Sequence, residues 1–218
     1  MRSSTRRLIT AALGLAFVAC STSSAPPRTV PEPSNETPKK EAMTKLFDFA
    51  KPADVRAFGA MDDRVMGGIS QSQLAASSDA TAYFTGNLSL ERNGGFASVR
   101  ASDLAFDLLR YDGITIRVRG DGKRYKVRLA DSNRFDTVSY QATINVPAGE
   151  WREVRLPFST FVPTWRGRTV KDAKPLDRRQ IRRVGLMISD KQEGVFQLEL
   201  AWICAYSEVQ QGEAPGDR

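Results

Sequence analysis

The chain has 218 residues, with a 41% apolar share, a 26% charged share and a formal net charge of +7. Those values describe a globular protein with a core of its own and exclude a disordered or membrane-embedded chain. There is no histidine, which removes Ser-His and Cys-His nucleophilic pairs and histidine-ligated zinc.

Residues 1–7 are polar and basic, and residues 8–19 are almost wholly apolar. This is the pattern of a secretory leader, and a run of 12 residues is too short to span a hydrocarbon core of about 30 Å as a helix. Arg2, Arg6 and Arg7 belong to it, so without them the excess charge falls from +7 to about +4. A mild excess of that size bears on solubility and does not point to nucleic acid. The leader ends Phe17-Val18-Ala19-Cys20, which resembles a bacterial lipobox in which Cys20 takes the lipid. Ser21 after it resembles the outer-membrane type. The expectation is an exported lipoprotein, anchored through Cys20 and facing the periplasm from the outer membrane. Residues 20–43 contain five prolines among Ser, Thr, Glu and Lys and read as an extended tether.

From residue 44 to about 206 the apolar period is two. Ile114, Ile116 and Val118 alternate with Thr115, Arg117 and Arg119; Tyr125, Val127 and Leu129 alternate with Lys126 and Arg128. Tyr140–Val146 and Phe196–Trp202 repeat the pattern. Each predicts a strand with one buried face. Weaker strands are expected at Leu46–Phe49, Ser70–Leu74, Ala82–Leu90, Phe96–Arg100, Val154–Phe158 and Val184–Ile188, with short helical turns at Ala53–Phe58 and Leu176–Arg182. Roughly ten strands without βαβ alternation predict an all-β, jelly-roll-like two-sheet sandwich. Residues 207–218 read as a disordered tail.

Two glycine-marked stretches exceed what a sandwich needs: Met61-Asp62-Asp63-Arg64-Val65-Met66-Gly67-Gly68-Ile69-Ser70 and Leu88 to Arg100 with Asn93-Gly94-Gly95 at its centre. They are followed by Arg119-Gly120-Asp121-Gly122, Leu156-Pro157-Phe158, Arg166-Gly167-Arg168 and Gly185-Leu186-Met187-Ile188-Ser189-Asp190. In this order they closely resemble the family named for complex I intermediate-associated protein 30, from about Leu46 to Tyr206. The family pattern Asp-Gly-Val-Met-Gly-Gly reads Asp-Arg-Val-Met-Gly-Gly here, with Arg64 at a glycine position. The resemblance implies a galactose-binding-like sandwich, similar to family 11 carbohydrate-binding modules. It also implies a chaperone-like assembly role without catalytic residues.

The paired glycines have two readings. They shape tight turns or bulges, or they open a groove for a ligand or a partner backbone. On the second reading the candidate binding residues are Asp62, Asp63, Arg64, Met66, Gly67, Gly68, Asn93, Gly94, Gly95, Arg100 and Trp165. Asp62 and Asp63 are neighbours, so on a strand their carboxylates point apart and do not share a substrate as glycosidase carboxylates must. The run Arg178-Arg179-Gln180-Ile181-Arg182-Arg183 reads as a solvated face or a contact for acidic headgroups, and not as a nucleic-acid site. No Walker A pattern and no Asp-rich calcium loop is present, and no cofactor or metal is expected. The leading expectation is a non-enzymatic, lipid-anchored module that recognises a protein partner at the envelope; the alternative is a glycan-binding module. A line of solvent-facing Tyr125, Tyr140 or Trp165 would favour glycans.

Overall fold

A computed structural model describes residues 42–134 and 136–208. The expected leader, Cys20, nearly all of the tether and the tail from residue 209 lie outside the described residues.

The described residues form two antiparallel sheets. One contains β1 (Ala42–Asp48), β3 (Gln71–Ala76), β4 (Ala82–Leu88), β6 (Gly113–Arg119), β9 (Trp151–Pro157) and β13 (Gly194–Ser207). Its order is β3-β4-β13-β6-β9, with β1 also paired to β13. The other contains β2 (Phe58–Ala60), β5 (Ala97–Ala101), β7 (Arg124–Ala130), β8 (Ser139–Asn145), β10 (Val162–Trp165), β11 (Arg168–Thr169) and β12 (Arg183–Ile188), in the order β11-β10-β8-β7-β12-β5-β2. Strand β13 is the axis of the first sheet. Its first half pairs with β4 and its second half with β1, while β6 runs along its other side.

The alternation seen in the sequence becomes the core. Val127, Leu129, Ile144, Leu186, Ile188, Ile114, Ile116 and Leu198 are all buried, each from the inward-facing positions of its strand. Two aromatic groups bind the layers. Phe84 and Phe196 of the first sheet meet Tyr125 of the second, with Phe84 5.0 Å from Phe196 and 6.2 Å from Tyr125 between ring centroids. At the other end Phe47 contacts Phe58 at 4.9 Å and Phe106 at 5.7 Å. Such ring pairs add about 0.5–1.5 kcal/mol beyond their area burial.

The structure adds three strands and moves some boundaries. Phe58 opens β2 rather than closing a helical turn, because the helix Pro52–Arg56 stops at Ala57 and Phe58 then pairs with Ala101. Strands β10 and β11 are short, and Pro163 interrupts their pattern. Ala42 and Met43, expected in the tether, pair with Ser207 and Tyr206, so strand structure begins before residue 44 and runs to 207. Only part of the basic run at 178–183 faces solvent: Arg179 and Gln180 are exposed. Arg178 donates to the Tyr111 carbonyl, Arg182 to the Leu104 carbonyl, and Arg183 is buried.

Candidate functional site

The two glycine-marked stretches come together at one corner of the sandwich, and two carboxylates hold them there. Asp63 is fully buried at the start of a 3-10 turn (Asp63–Met66). Its Oδ1 accepts from the Ser70 N–H at 3.0 Å. Its Oδ2 accepts from the Ser70 hydroxyl at 2.6 Å, the Gly95 N–H at 2.7 Å and the Phe96 N–H at 3.4 Å. Asp62 points elsewhere: Oδ2 accepts from the Ser72 N–H at 2.9 Å, and Oδ1 from the Ser72 hydroxyl and the Ser98 N–H, at 2.5 and 2.9 Å. The two carboxylates therefore work on different partners, and every one of their oxygens accepts a bond. Ser70 extends the network by receiving the Ser89 N–H at 3.0 Å.

The glycines divide two tasks between them. Gly67 and Gly95 adopt φ of +91° and +142°, which side-chain-bearing residues rarely take. Gly68 and Gly94 instead leave room for Asp63. A Cβ on Gly68 would lie 2.4 Å from the Asp63 Cγ, and one on Gly94 would lie 2.7 Å from its Oδ2. Arg64 does not have positive φ, so the turn accepts arginine where the family pattern has glycine. Asn93 is exposed in the left-handed region at φ +60°.

What this frame presents to solvent is apolar and cationic. Val65 is 56% exposed, Met66 60%, Ile69 39% and Leu90 37%, with exposed Arg64 and Arg92 on the same two stretches.

The other candidates lie apart from this corner. Arg100 is on β5, paired across the sheet to Gly59 and Gly185, and half-buried. Trp165 ends β10 and is 41% exposed; its indole N–H donates to Asp136 at 2.9 Å and the Arg166 guanidinium lies 4.7 Å over its ring. Tyr125 and Tyr140 point into the sandwich, where the first donates to Asp121 and the second to the Lys174 carbonyl. They form no exposed line with Trp165.

Sequence reasoning missed two residues that share a pocket with Arg100. Arg128 and Arg183 sit on β7 and β12, and both are held below the usual arginine range, at about 10, chiefly by burial. The alternation marked Arg128 as an outward position; nothing in it signalled that this part of the outer face is itself covered. Cys204 is buried, and burial pushes its thiol up to about 11, where it is a poor nucleophile. Among the described residues no group of three or more acidic or cysteine side chains is arranged to hold a metal ion, and no helix is long and apolar enough to cross a membrane.

Residues 47–200 match the family described as Complex I intermediate-associated protein 30. The mitochondrial protein of that name from Mus musculus is 26% identical over 183 residues, covering 75% of this chain and 56% of its own length. An uncharacterized protein of Schizosaccharomyces pombe is 32% identical over 178 residues, covering 72% of this chain and 81% of that one. The chain thus spans little more than half the length of the mouse protein. Among solved structures, the family 11 carbohydrate-binding module of the cellulase Lic26A-Cel5E of Clostridium thermocellum superposes with a TM-score of 0.60 at 14% identity, over 80% of this chain and all of that one. A family 11 module from the same organism, in complex with a β-1,3-1,4-mixed-linked tetrasaccharide, gives 0.59 at 15% identity, over 78% of this chain and 98% of that one. At these identities the likeness concerns the fold.

Proposed function

The chain belongs to the Complex I intermediate-associated protein 30 family, and from that premise we propose that it is a non-enzymatic, assembly-factor-like module that recognises a protein partner. The observation that carries this reading is the exposed apolar edge of Val65, Met66, Ile69 and Leu90 on a corner made rigid by Asp62 and Asp63. Exposed apolar side chains stand at the heart of protein interfaces, with cations such as Arg64 and Arg92 beside them. Methionine adapts its shape to the surface it meets. A rigid base lowers the ordering cost of docking such an edge. The two aspartates are spent on the frame, which leaves the corner to bind and not to transfer protons.

In this reading Cys20 carries a lipid and the Pro-rich stretch after it lets the module reach a partner at the cell envelope, on the periplasmic face of the outer membrane. Radiolabelled palmitate is expected in the wild type and absent from Cys20→Ala; equal label in both overturns the anchor. For the partner, crosslinking capture from membranes is expected to recover the same protein repeatedly with the wild type and to lose it with Met66→Asp. A capture profile no different from background with the wild type overturns the protein-partner reading.

One observation favours a second reading, glycan binding: Trp165 is exposed and its indole is fixed by Asp136, as a ring that stacks on a sugar must be fixed. A glycan-array signal abolished by Trp165→Ala would establish it, and an array without signal would remove it.

A further inference from the structure

The outer face of the seven-stranded sheet gathers three guanidiniums in one pocket. Arg100 of β5 and Arg128 of β7 stand on either side of Gly185 of β12, to which both are paired. Arg183, two residues earlier on β12, faces the same way. Because Gly185 has no side chain, the space between Arg100 and Arg128 stays open. The pocket has a volume of about 30 Å3 and is also lined by Ser98, Thr137 and Ser139. Arg100 and Arg128 are half-buried; Arg183 is only 5% exposed.

These cations lack the partners that buried charges ordinarily have. Arg183 Nη2 donates to the Thr137 hydroxyl at 2.9 Å, and Arg128 Nη2 donates to the Ser139 hydroxyl. The Nε atoms of both are buried without a hydrogen-bond partner among the described residues. No ion pair among the described residues includes Arg100, Arg128 or Arg183. Asp131 favours the charge on Arg183, and it already accepts from the Asp177 N–H at 3.2 Å. Asp62 is close to Ser98, but its oxygens are taken by Ser72 and Ser98. Arg128 feels only burial and the like charges of Arg100 and Arg183. A guanidinium that loses its proton only near pH 10 is still cationic at neutral pH, so the pocket concentrates positive charge and idle N–H donors in a place shielded from water. A buried donor without an acceptor and a buried charge without a counter-charge are each costly. Water can satisfy an Nε–H; it cannot neutralise the charges.

We propose that this pocket binds one tetrahedral oxyanion, either phosphate or the phosphate of a monoester. The donors are those that oxyanions prefer: planar guanidinium forks that bond two oxygens at once, with hydroxyls between them. The phosphate of a monoester brings about −1.5 to −2 charge at pH 7, and inorganic phosphate also carries more than one, which meets three guanidiniums better than the single charge of a carboxylate. The free volume is that of one or two water molecules, so it admits the oxygens of one anion and leaves a sugar ring outside. The site is separate from the apolar corner and holds whether or not that corner binds a protein.

The test is thermal melting of the full chain at constant ionic strength with sodium phosphate, glycerol 3-phosphate, acetate or chloride, followed by calorimetric titration with the phosphates. Phosphate is expected to raise the melting temperature saturably, at a concentration at least tenfold below any effect of acetate, with no saturable effect of chloride. Arg128→Leu and Arg183→Met are each expected to raise the half-saturating phosphate concentration at least tenfold while remaining folded by circular dichroism. Should either fail to fold, Arg100→Gln at a half-buried position gives the same reading. Tighter binding of glycerol 3-phosphate than of inorganic phosphate assigns the site to a monoester; the reverse order assigns it to the free ion. No saturable response beyond chloride, an equal response to acetate, or an unchanged response in the arginine variants overturns the proposal.

Discussion

Asp62 and Asp63 at the corner, and Arg128 and Arg183 on the neighbouring sheet face, are all charges removed from much of the surrounding water, yet they live under opposite conditions. Each carboxylate oxygen of the corner accepts at least one hydrogen bond, most of them from backbone N–H groups of the segment it anchors. The two arginines each make one bond to a hydroxyl and keep an idle buried Nε. Strand β5 joins the regions: Ser98 serves Asp62, and Arg100 lines the arginine pocket. Saturated charge does the work of a fastener, because removing it strands several donors at once. Unsaturated charge raises the energy of the empty protein and lowers it again when a counter-charge arrives. The contrast separates structural from functional ionisable groups without reference to any sequence pattern.

The sharpest way to break this comparison is at Asp63. Asp63→Ala strands the Ser70, Gly95 and Phe96 donors and is expected to cost about 3 kcal/mol or more in urea unfolding; a loss below about 1 kcal/mol would show that the corner is not fastened there. Gly68→Ala pushes a Cβ into the same carboxylate, Gly94→Ala pushes one into it and into the Ser89 carbonyl, and each is expected to cost about 2 kcal/mol by the same measurement. Arg183→Met should move the other way. Replacing an under-partnered buried cation by an apolar chain of similar length is expected to leave the ligand-free protein as stable or about 1 kcal/mol more stable; a loss of 2 kcal/mol would mean that Arg183 is a fastener after all. Met66→Ser is expected to shift stability by less than about 0.5 kcal/mol, because the side chain is exposed, while abolishing partner capture.

The sheet layers were legible from residues such as Tyr125, Val127 and Leu129, because a period of two directly encodes which side of a strand is buried. Strands β2, β10 and β11 were not, since three residues or fewer, or a proline within four, carry too little alternation to register. The meeting of the two glycine-marked stretches depends on the pairing of β2 with β5 and of β3 with β4, and on the turns beside them, and long-range pairing leaves no local trace. The glycines could be seen to matter, but the partner they make room for, Asp63, appears only in three dimensions. The arginine pocket was hidden for a related reason: Arg183 belongs by sequence to a run of basic residues, and by position to a strand in the middle of a sheet.

The placement of β13 has a temporal consequence. This strand supplies the hydrogen-bonding partner for β1, β4 and β6 together, so a ribosome-bound chain that has not yet released residues 194–207 has three strands with their shared neighbour missing. Closure of the first sheet therefore waits until residues 194–207 have left the ribosome.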